Sequence, residues 1–466
     1  MRENINTTVL DLEKVHKGQS SFLLKSKNGL RWINYDILAG SISLFLGVIL
    51  SPYESIDSIS NNYVLILLVY GLTLATISRL TEVPRPGYDF QIARYDVLSV
   101  GILAVFFSIL SFSFLVLLLA HPLNGRYIIL NTAIFSYFFL CIPRITLTSV
   151  SNRRPMNLAL WGSNELTDLF IKRIKDSDDF KVSGFLNFSD SDFTRHKYGL
   201  KSIEENDLKD INCVILCSEI SPETEINNKL MQLPMQGVEV LNKGAFIEKY
   251  FRVISLDYLN VHWLASFPSL ANDRTSFFAK RITDIIISAI LLTITIPFLP
   301  IFALLIKLDS KGSVFYTQSR VGRFNKPFTI YKLRSMTHNA EEQGAQWASS
   351  NDSRITKLGA FLRRTRIDEL PQLWNVLKGD MSMVGPRPER PEFEKTLLKD
   401  LPLYERRHLI SPGITGWAQI RFKYGASIED SRYKLEHDLY YIKHMSFVFD
   451  LKIMMKTFTM VMKGSR

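Results

Sequence analysis

The sequence has few of the residues that bind zinc or form disulfides, with three cysteines and eight histidines among 466 residues. Cys141 lies in an apolar run, and Cys213 and Cys217 lie in INCVILCSEI, which has the pattern of a buried strand. Because no cysteine and histidine cluster accompanies them, we expect neither a zinc site nor a disulfide framework. The chain also opens with a polar stretch that lacks the apolar core of a signal peptide, so none is expected.

The sequence also lacks the glycine-rich turn of a dinucleotide-binding domain. From about 155 to 260, strand-like segments alternate with helical ones, which predicts a small parallel sheet. The predicted strands are MNLALWGS, FKVSGFLNF, INCVILCSEI and VEVLN, and NELTDLFIKRIKDS is a predicted helix. Where Gly-x-Gly-x-x-Gly would follow the first strand, LALWGSNEL has only Gly162. A dinucleotide needs bare backbone at several of these positions, so we expect a structural or regulatory module without such a cofactor.

The composition combines a basic excess with clustered apolar residues. Lysine and arginine total 56 against 45 acidic residues, a formal net charge of +11, and 47% of the residues are hydrophobic. A basic excess is typical of proteins that bind nucleic acid, anionic lipid or phosphorylated substrates. The apolar clusters favour the last two, and we expect no nucleic acid partner.

Four apolar runs come first, at 33–51, 63–77, 97–120 and 127–142. Each is near the roughly 20 residues that a spanning helix needs, and a buried soluble helix is the alternative for the shorter second and fourth. The loop at 52–62 has no lysine or arginine, and the short loop before the fourth run has only Arg126. Basic residues flank the other ends of the runs: Lys14, Lys17, Lys25, Lys27, Arg31, Arg79, Arg85, Arg94, Arg144, Arg153 and Arg154. This alternation predicts four spans with both ends in the cytoplasm.

A second apolar region, 282–306, contains Pro297 and Pro300, which break the helical hydrogen-bond ladder. Basic residues stand at both of its ends: Lys280 and Arg281 before it, and Lys307 and Lys311 after it. Basic residues beside an apolar segment are typical of the cytoplasmic side, and here they flank both ends. We therefore expect a re-entrant helix–break–helix that enters and leaves the same leaflet. A kinked full span is the alternative.

The following portion, 308–466, is basic and contains an amphipathic pattern. RITKLGAFLRRTR places apolar residues on one helical stripe among arginines and lysines, which suits a helix lying on an anionic membrane surface. The C-terminal YIKHMSFVFDLKIMMKTFTMVMKG has a similar character. A helix that packs this stripe into the core is the alternative in both cases.

An acid pair, Asp368 and Glu369, precedes a helical pattern that contains Pro371 and ends at a predicted capping residue, Gly379. Backbone N–H groups at a helix start attract phosphate and lower the pKa of carboxylates. An ionised carboxylate beside a phosphate is a candidate nucleophile, and its neighbour is a candidate ligand for a divalent cation. Acids also cap helices routinely, so the pair alone is a weak signal.

Arg387 strengthens this hypothesis because Gly-Pro-Arg-Pro fixes the backbone on both sides of a single guanidinium. Lys332, Arg334 and Arg363 are further candidate phosphate ligands. The alternative for each basic residue is a solvated surface charge or a contact to lipid phosphate.

Three long motifs, RVGRFNKPFTIYKLRSM, TKLGAFLRRTRIDELPQLWNVLKGDMSMVGPRP and SPGITGWAQI, resemble those of the bacterial sugar transferase family, the polyprenyl-phosphate sugar-1-phosphate transferases. The resemblance covers about 275–466, and the first half of the chain is similar to the large, exopolysaccharide-initiating branch. It implies a membrane protein of three parts: a transmembrane domain at 1–150, a degenerate Rossmann-like α/β domain at 151–264, and a catalytic domain with its re-entrant helix at 265–466.

The resemblance also implies an activity, in which the chain is an undecaprenyl-phosphate hexose-1-phosphate transferase of the bacterial inner membrane. Its catalytic domain would face the cytoplasm and take the sugar phosphate from a UDP-sugar, with glucose or galactose expected. UMP would leave, and undecaprenyl phosphate would accept the product that starts an exopolysaccharide or O-antigen unit. Mg²⁺ is the implied cofactor, and a homodimer is an expected assembly.

Individual residues match the motifs of this family. The resemblance implies that Asp368 attacks the β-phosphorus to give a covalent intermediate and that Glu369 holds Mg²⁺. It implies phosphate binding by Lys332, Arg334, Arg363 and Arg387, a helix break at Pro297, and an undefined role for Asp438. Leu333 replaces a phenylalanine of the family pattern, and RFKYGAS replaces a run with Asn-Gly-Arg, so Arg421 is the candidate substitute for that arginine.

Other classes of function remain open at this point. One is a non-catalytic membrane-bound sensor or scaffold that binds nucleotide sugars for polysaccharide assembly. Another is a nicotinamide-dependent enzyme centred on the α/β module, against which the missing glycines argue. A third is a glycosyltransferase that moves sugar without phosphate, which would release UDP instead of UMP.

Overall fold

The computed structural model describes residues 32–50, 63–80, 94–118, 126–150, 155–186 (without 163, 176 and 178), 201–203, 208, 210–218, 230–259, 274–337, 352–421 and 427–462. The chain divides into two compact units, Met1–Phe246 and Ile247–Arg466. The helices of the first unit are α1 (Trp32–Ile49), α2 (Tyr63–Leu80), α3 (Arg94–Leu118), α4 (Arg126–Val150), α5 (Thr167–Lys175) and the start of α6 (Lys243–Phe251). Its strands are β1 (Met156–Trp161), β2 (Phe180–Leu186), β3 (Lys201–Ile203), β4 (Cys213–Leu216) and β5 (Glu239–Asn242).

Apolar helices form where the four apolar runs predict them. Among the described residues, three segments are long and apolar enough to cross a membrane: Trp32–Ile49, Tyr127–Thr146 and Phe277–Asp309. The apolar parts of α2 and α3, Ile66–Arg79 and Val100–Ser113, are shorter. The helices therefore agree with a membrane protein, and the prediction of four complete spans stays a prediction.

The position of Arg144 after the fourth apolar run predicts that it lies in a loop, but it lies within a helix. Helix α4 continues past Pro143 to Val150, and Arg144 is fully buried with its Nη2 2.7 Å from Asp36 Oδ1. Ser78 Oγ donates to the other Asp36 oxygen at 2.6 Å. The opposite charge of Asp36 makes burial of this guanidinium tolerable. The remaining loop and its flanking charges lie outside the described residues: 52–62, Lys14, Lys17, Lys25, Lys27, Arg31, Arg85, Arg153 and Arg154.

The predicted parallel sheet is confirmed. Its strand order is β3-β2-β1-β4-β5, and every neighbouring pair is parallel. The four predicted strands correspond to β1, β2, β4 and β5, and the predicted helix contains α5. The three-residue β3 has no counterpart in the prediction because so short a strand shows no alternation.

Strand order reverses between β1 and β4, where open α/β sheets bind ligands beyond the carboxyl ends of their strands. Gly162 turns the chain there with a φ of +69°, and a Cβ at this position would lie 1.9 Å from Ser218 Oγ. The buried Lys243 extends to the same edge, donating to Asn164 Oδ1 and, at 3.0 Å, to the carbonyl of Cys217. The backbone conformation and the close contact with Ser218 therefore explain why a glycine stands here, without a nucleotide.

The second unit begins within α6 and carries the remaining elements. Its helices are α7 (Arg274–Thr295), α8 (Leu299–Asp309), α9 (Lys357–Thr365), α10 (Gln372–Lys378), α11 (Pro391–Asp400), α12 (Trp417–Arg421), α13 (Ile428–Lys443) and α14 (Phe447–Met462). Its strands are β6 (Phe315–Val321), β7 (Pro327–Leu333), β8 (Ser382–Val384) and β9 (Gly413–Thr415). Strands β6 and β7 form an antiparallel hairpin, and β8 and β9 pair in parallel.

Helices α7 and α8 are joined by a 3₁₀ turn, Ile296–Phe298, that contains Pro297. The start of α7 is fixed to the interior of the unit by the buried Lys280. Its Nζ donates to Asp450 Oδ2 at 2.6 Å, to Tyr441 at 3.1 Å and to the carbonyl of Val384 at 2.9 Å. The apolar segment is therefore anchored by hydrogen bonds to the ends of β8, α13 and α14.

The helix predicted from RITKLGAFLRRTR is α9, with Thr356 as its N-cap. One part of its apolar stripe packs into the core, and another part is exposed. Leu362 is fully buried in a core cluster with Ile306 and Leu333, whereas Phe361 is 43% exposed. One helix therefore contributes to the core and also presents an aromatic side chain outward.

Candidate active site

The acid pair lies in a 3₁₀ turn, Ile367–Glu369, and not in the first turn of an α-helix as predicted. Arg366 precedes the turn with a φ of +56°, which ends α9 and redirects the chain. Helix α10 begins only after Pro371, and Gly379 caps its end as predicted. Because the Glu369 N–H already donates to the carbonyl of Arg366, the pair does not meet a free helix N-terminus. Its environment is set by side chains.

Glu369 is the centre of this environment. Its Oε1 accepts from Arg387 Nη2 at 2.8 Å and from Lys332 Nζ at 3.2 Å. Its Oε2 lies 3.6 Å from Arg366 Nη1 but, although buried, accepts no hydrogen bond from the protein. Three cations from β7, the end of α9 and the Gly-Pro-Arg-Pro turn thus converge on one carboxylate.

The two neighbouring acids differ in their pKa. Burial raises the pKa of Asp368 and the charge of Glu369 raises it further, while Lys332, Arg363 and Arg387 oppose this. Burial alone would also raise the pKa of Glu369, but Arg387 and Lys332 hold it well below its usual range. Glu369 is therefore a fixed negative charge, and Asp368 is the acid whose ionisation responds to the site.

Lys332 and Arg363 reach the acid pair from two elements. Lys332 lies near the end of β7, and burial lowers its pKa while Glu369 raises it. Arg363 lies in the last turn of α9, where its Nε donates to Ser335 Oγ at 2.9 Å, and its charge lowers the pKa of Asp368. The structure therefore groups Lys332, Arg363 and Arg387 around Asp368 and Glu369.

Two predicted phosphate ligands have other contacts. Arg334 Nη2 donates to the carbonyls of Ile306, at 3.2 Å, and Ser310, at 2.6 Å, which lie at the end of α8. The Ile306 carbonyl also accepts from the backbone N–H of Ser310, and the guanidinium adds a donor for the carbonyls at this helix end. Arg421 lies over the ring of Trp417, 4.7 Å from its centroid. The run that follows it, 422–426, lies outside the described residues.

Asp438, whose role the motifs leave undefined, contacts the site through another residue. Its Oδ2 accepts from Arg407 Nη2 at 2.8 Å, and the same nitrogen donates to the carbonyl of Arg387 at 3.0 Å. Arg407 and Arg366 were not among the residues predicted from the sequence. The three-residue spacing from Arg366 to Glu369 is a local signal that could have indicated the ion pair between these two residues.

The acid pair provides carboxylate oxygens, which divalent cations such as Mg²⁺ prefer as ligands. The described residues contain no group of three or more histidine, cysteine, aspartate or glutamate side chains that could hold a metal by themselves. Mg²⁺ usually binds through one or two carboxylates, with water and substrate phosphates completing its shell. Glu369 Oε2, buried without a hydrogen-bond donor, and the adjacent Asp368 carboxylate fit that pattern.

Helices long and apolar enough to cross a membrane, together with a buried acid pair surrounded by cations, agree with a membrane protein that has a highly charged buried site. The model of the bacterial sugar transferase family matches residues 275–464. The exopolysaccharide production protein of Rhizobium leguminosarum bv. phaseoli is 44% identical over 184 residues, 38% of this chain and 92% of that protein. The chain therefore belongs to the bacterial sugar transferase family.

Two longer relatives match the same part of the chain. The UDP-N-acetylgalactosamine-undecaprenyl-phosphate N-acetylgalactosaminephosphotransferase of Aeromonas hydrophila is 44% identical over 211 residues, 45% of this chain and 49% of that protein. The UDP-glucose:undecaprenyl-phosphate glucose-1-phosphate transferase of Escherichia coli (strain K12) is 42% identical over 187 residues, 40% of each chain. The matched part thus covers about half or less of the length of these relatives.

Proposed function

We propose that this protein transfers a sugar-1-phosphate from a UDP-sugar to undecaprenyl phosphate and releases UMP. One phosphoanhydride is exchanged for another, so the reaction needs no ATP. Asp368 attacks the β-phosphorus, the bond to UMP breaks, and a sugar-phosphoryl aspartate remains. The acceptor phosphate then attacks the same phosphorus and releases Asp368. Use of one nucleophile for both substrates gives ping-pong kinetics.

The observation that carries the proposal is the grouping of cations around the buried acid pair. A carboxylate nucleophile must approach a phosphoryl group that is itself negative, so the barrier is largely one of charge crowding. Lys332, Arg363 and Arg387 lie where they can neutralise phosphoryl oxygens beside Asp368. The side chain of Arg387 is 37% exposed, so an incoming substrate would meet part of this guanidinium.

Glu369, with Asp368 beside it, would hold Mg²⁺. When bound, this ion would neutralise charge on the diphosphate of the donor. The protein contributes a carboxylate that stays ionised, because Arg387 and Lys332 lower the pKa of Glu369. Its second oxygen, Oε2, accepts no hydrogen bond from the protein.

The anchoring of segment 282–306 supports the proposal that it is re-entrant. At its start, Arg281 donates to the carbonyl of Val376 at 2.6 Å. At its end, the carbonyl of Ile306 accepts from Arg334. A straight helix would separate Arg281 from Ile306 by about 38 Å.

The elements that hold the two ends of the segment contact each other. Tyr331 N donates to Asn375 Oδ1 at 3.2 Å, which brings β7 against α10. Arg334 is three residues from Tyr331, about 10 Å along an extended chain, and Val376 follows Asn375 directly. Neighbouring elements of one unit therefore hold both ends of the segment, which favours a bend at Pro297 over a straight span. A re-entrant segment would place Asp368 at the cytoplasmic face, within reach of a lipid-linked phosphate.

We expect both flanks of this segment to be accessible only from the cytoplasm. Single cysteines at Ser310 and Ser276, in a variant whose three buried native cysteines are replaced, report the two ends. In inside-out vesicles an impermeant maleimide should label both, and in intact spheroplasts neither. Labelling of the two positions from opposite sides would show a complete span and refute the re-entrant proposal.

The proposed donor sugar is glucose or galactose, with N-acetylgalactosamine as a second candidate. The family resemblance implies the first two. The printed name of the Aeromonas hydrophila relative specifies N-acetylgalactosamine, at 44% identity. We further propose an inner-membrane location with a cytoplasmic catalytic unit, a homodimer, and a role at the start of exopolysaccharide or O-antigen synthesis.

The experiment that tests the function is UMP release by the full chain in detergent with Mg²⁺ and undecaprenyl phosphate. The donor panel contains UDP-glucose, UDP-galactose, UDP-N-acetylglucosamine and UDP-N-acetylgalactosamine. We expect acceptor-dependent UMP with one or two of these donors, and none after chelation of the metal. Release of UDP would indicate a glycosyltransferase, and absence of any nucleotide product across the panel would count against the proposal in favour of the sensor or scaffold alternative.

A further inference from the structure

The backbone of the Gly-Pro-Arg-Pro turn is held through its carbonyl oxygens. Pro386 and Pro388 have no N–H group, so the turn has few donors of its own. Four consecutive carbonyls accept hydrogen bonds from different elements: Pro386 from Gly413 N at 2.9 Å, Arg387 from Arg407 Nη2 at 3.0 Å, Pro388 from Arg320 Nη1 at 3.0 Å, and Glu389 from Val321 N at 3.0 Å. Two of these donors are guanidinium groups.

Arg407 has the more deeply buried of the two guanidinium groups. Its side chain is 3% exposed, and that of Asp438 is 2% exposed. The two N–H bonds of Nη2 serve the carboxylate of Asp438 and the carbonyl of Arg387, so the position of one acceptor constrains the other. Arg407 also lies over the ring of Tyr404, 4.8 Å from its centroid. The guanidinium is thereby fixed in its plane and its direction.

The charge of Arg407 is preserved in this buried position. Burial alone lowers the pKa of the guanidinium, but its attraction to Tyr404 and Asp438 raises it above the ordinary value. A charged donor makes a stronger hydrogen bond to a carbonyl than a neutral one. An unpaired charge at this depth would be costly, so Arg407 and Asp438 depend on each other.

We propose that Arg407, oriented by Asp438, is a positioning residue for Arg387. It fixes the main-chain carbonyl of Arg387, and the side chain of that residue is then directed at Glu369, 2.8 Å away. The expected effect of Arg407 on the transferred phosphate rests on the proposed function. The hydrogen bond by which Arg407 holds the turn does not depend on that function.

The first test is a double-mutant cycle on kcat/KM for the donor, with Arg407→Lys and Arg387→Ala. A lysine lacks the planar fork that serves two acceptors at once. We expect Arg407→Lys to lower kcat/KM by roughly 10- to 100-fold when Arg387 is present, and by less than about threefold in the Arg387→Ala background. Equal losses in both backgrounds would mean that Arg407 acts independently of Arg387 and would overturn the proposal.

The second test needs no substrate and separates this inference from the proposed activity. Hydrogen exchange is followed in the full chain for the peptide that contains 383–390. Asp438→Asn preserves side-chain volume, and we expect it, like Arg407→Lys, to speed exchange in this peptide more than in the α5 peptide of the first unit. Arg432→Lys is the matched control, because Arg432 pairs with Asp257 elsewhere on α13. Unchanged exchange at 383–390 in both variants would contradict the proposal even if UMP release is normal in the wild type.

Discussion

Replacing Asp368 with asparagine is expected to abolish transfer while leaving the fold intact. Asparagine has nearly the same shape, but its amide is not a nucleophile at phosphorus. Loss of the nucleophile in a covalent mechanism typically lowers turnover by at least about a thousandfold. Because burial and Glu369 already raise the pKa of Asp368, a neutral side chain at this position should not destabilise the unit.

The measurement has two parts, steady-state UMP release and trapping of the intermediate. Wild-type protein incubated with a donor carrying labelled sugar and no acceptor should retain label after denaturation, and Asp368→Asn should not. Asp380→Asn is the control, since Asp380 follows α10 and its side chain pairs with Lys378 at 3.2 Å, with 22% exposure. Turnover within about tenfold of wild type in Asp368→Asn would remove this residue as the nucleophile.

The long motifs, with their fixed spacing, placed the acid pair, Lys332 and Arg387 in one candidate site, and the structure brings Lys332 and Arg387 into contact with Glu369. Arg334 shows where this reasoning fails. It follows Lys332 by two residues, but β7 ends at Leu333, so the alternation of the strand no longer determines its direction. The carbonyls of Ile306 and Ser310 at the end of α8 determine it instead, and they are more than twenty residues away in sequence.

Partners that are distant in the chain account for the other misses. The pair formed by Arg144 and Asp36 joins positions 108 residues apart, so no local pattern distinguishes this arginine from one in a loop. Arg407 and Asp438 are 31 residues apart, and neither has a neighbour that indicates the other. The acid pair was placed on an α-helix because Pro371 is common in a first turn. The left-handed conformation of Arg366, which determines the 3₁₀ turn, has no glycine to signal it.

The parallel sheet was easier to predict than the site because burial repeats along whole segments. Strands β1 and β4 have nearly continuous buried residues, as expected for the centre of a parallel sheet. The site depends on single contacts of long side chains, which the sequence does not encode as a period. This difference explains why the fold of the α/β module was predicted with its helix, while the partners of Arg334 and Asp438 were not.

The second large effect is expected for Glu369→Gln, which keeps the shape of the side chain and removes its charge. Lys332 and Arg387 then lose the carboxylate that holds them 3.2 and 2.8 Å away, and the proposed Mg²⁺ loses its ionised ligand. Removal of a single preorganised electrostatic contact typically lowers kcat by about 10²–10³-fold. We expect a loss of at least that size, with a higher Mg²⁺ concentration needed for half-maximal UMP release.

The pH profile of Glu369→Gln distinguishes the loss of the Glu369 charge from a general disruption of the site. Glu369 raises the pKa of Asp368, while Lys332, Arg363 and Arg387 lower it, so a neutral glutamine leaves only the lowering charges. The pKa of Asp368 should therefore fall, its ionised form should persist to lower pH, and the acid limb of the residual kcat/KM should move downward. Glu392→Gln, at an acid that is 62% exposed beside Arg390, should leave both the rate and the limb unchanged. An acid limb that stays in place or moves upward in Glu369→Gln would show that the coupling between the two carboxylates does not govern the nucleophile.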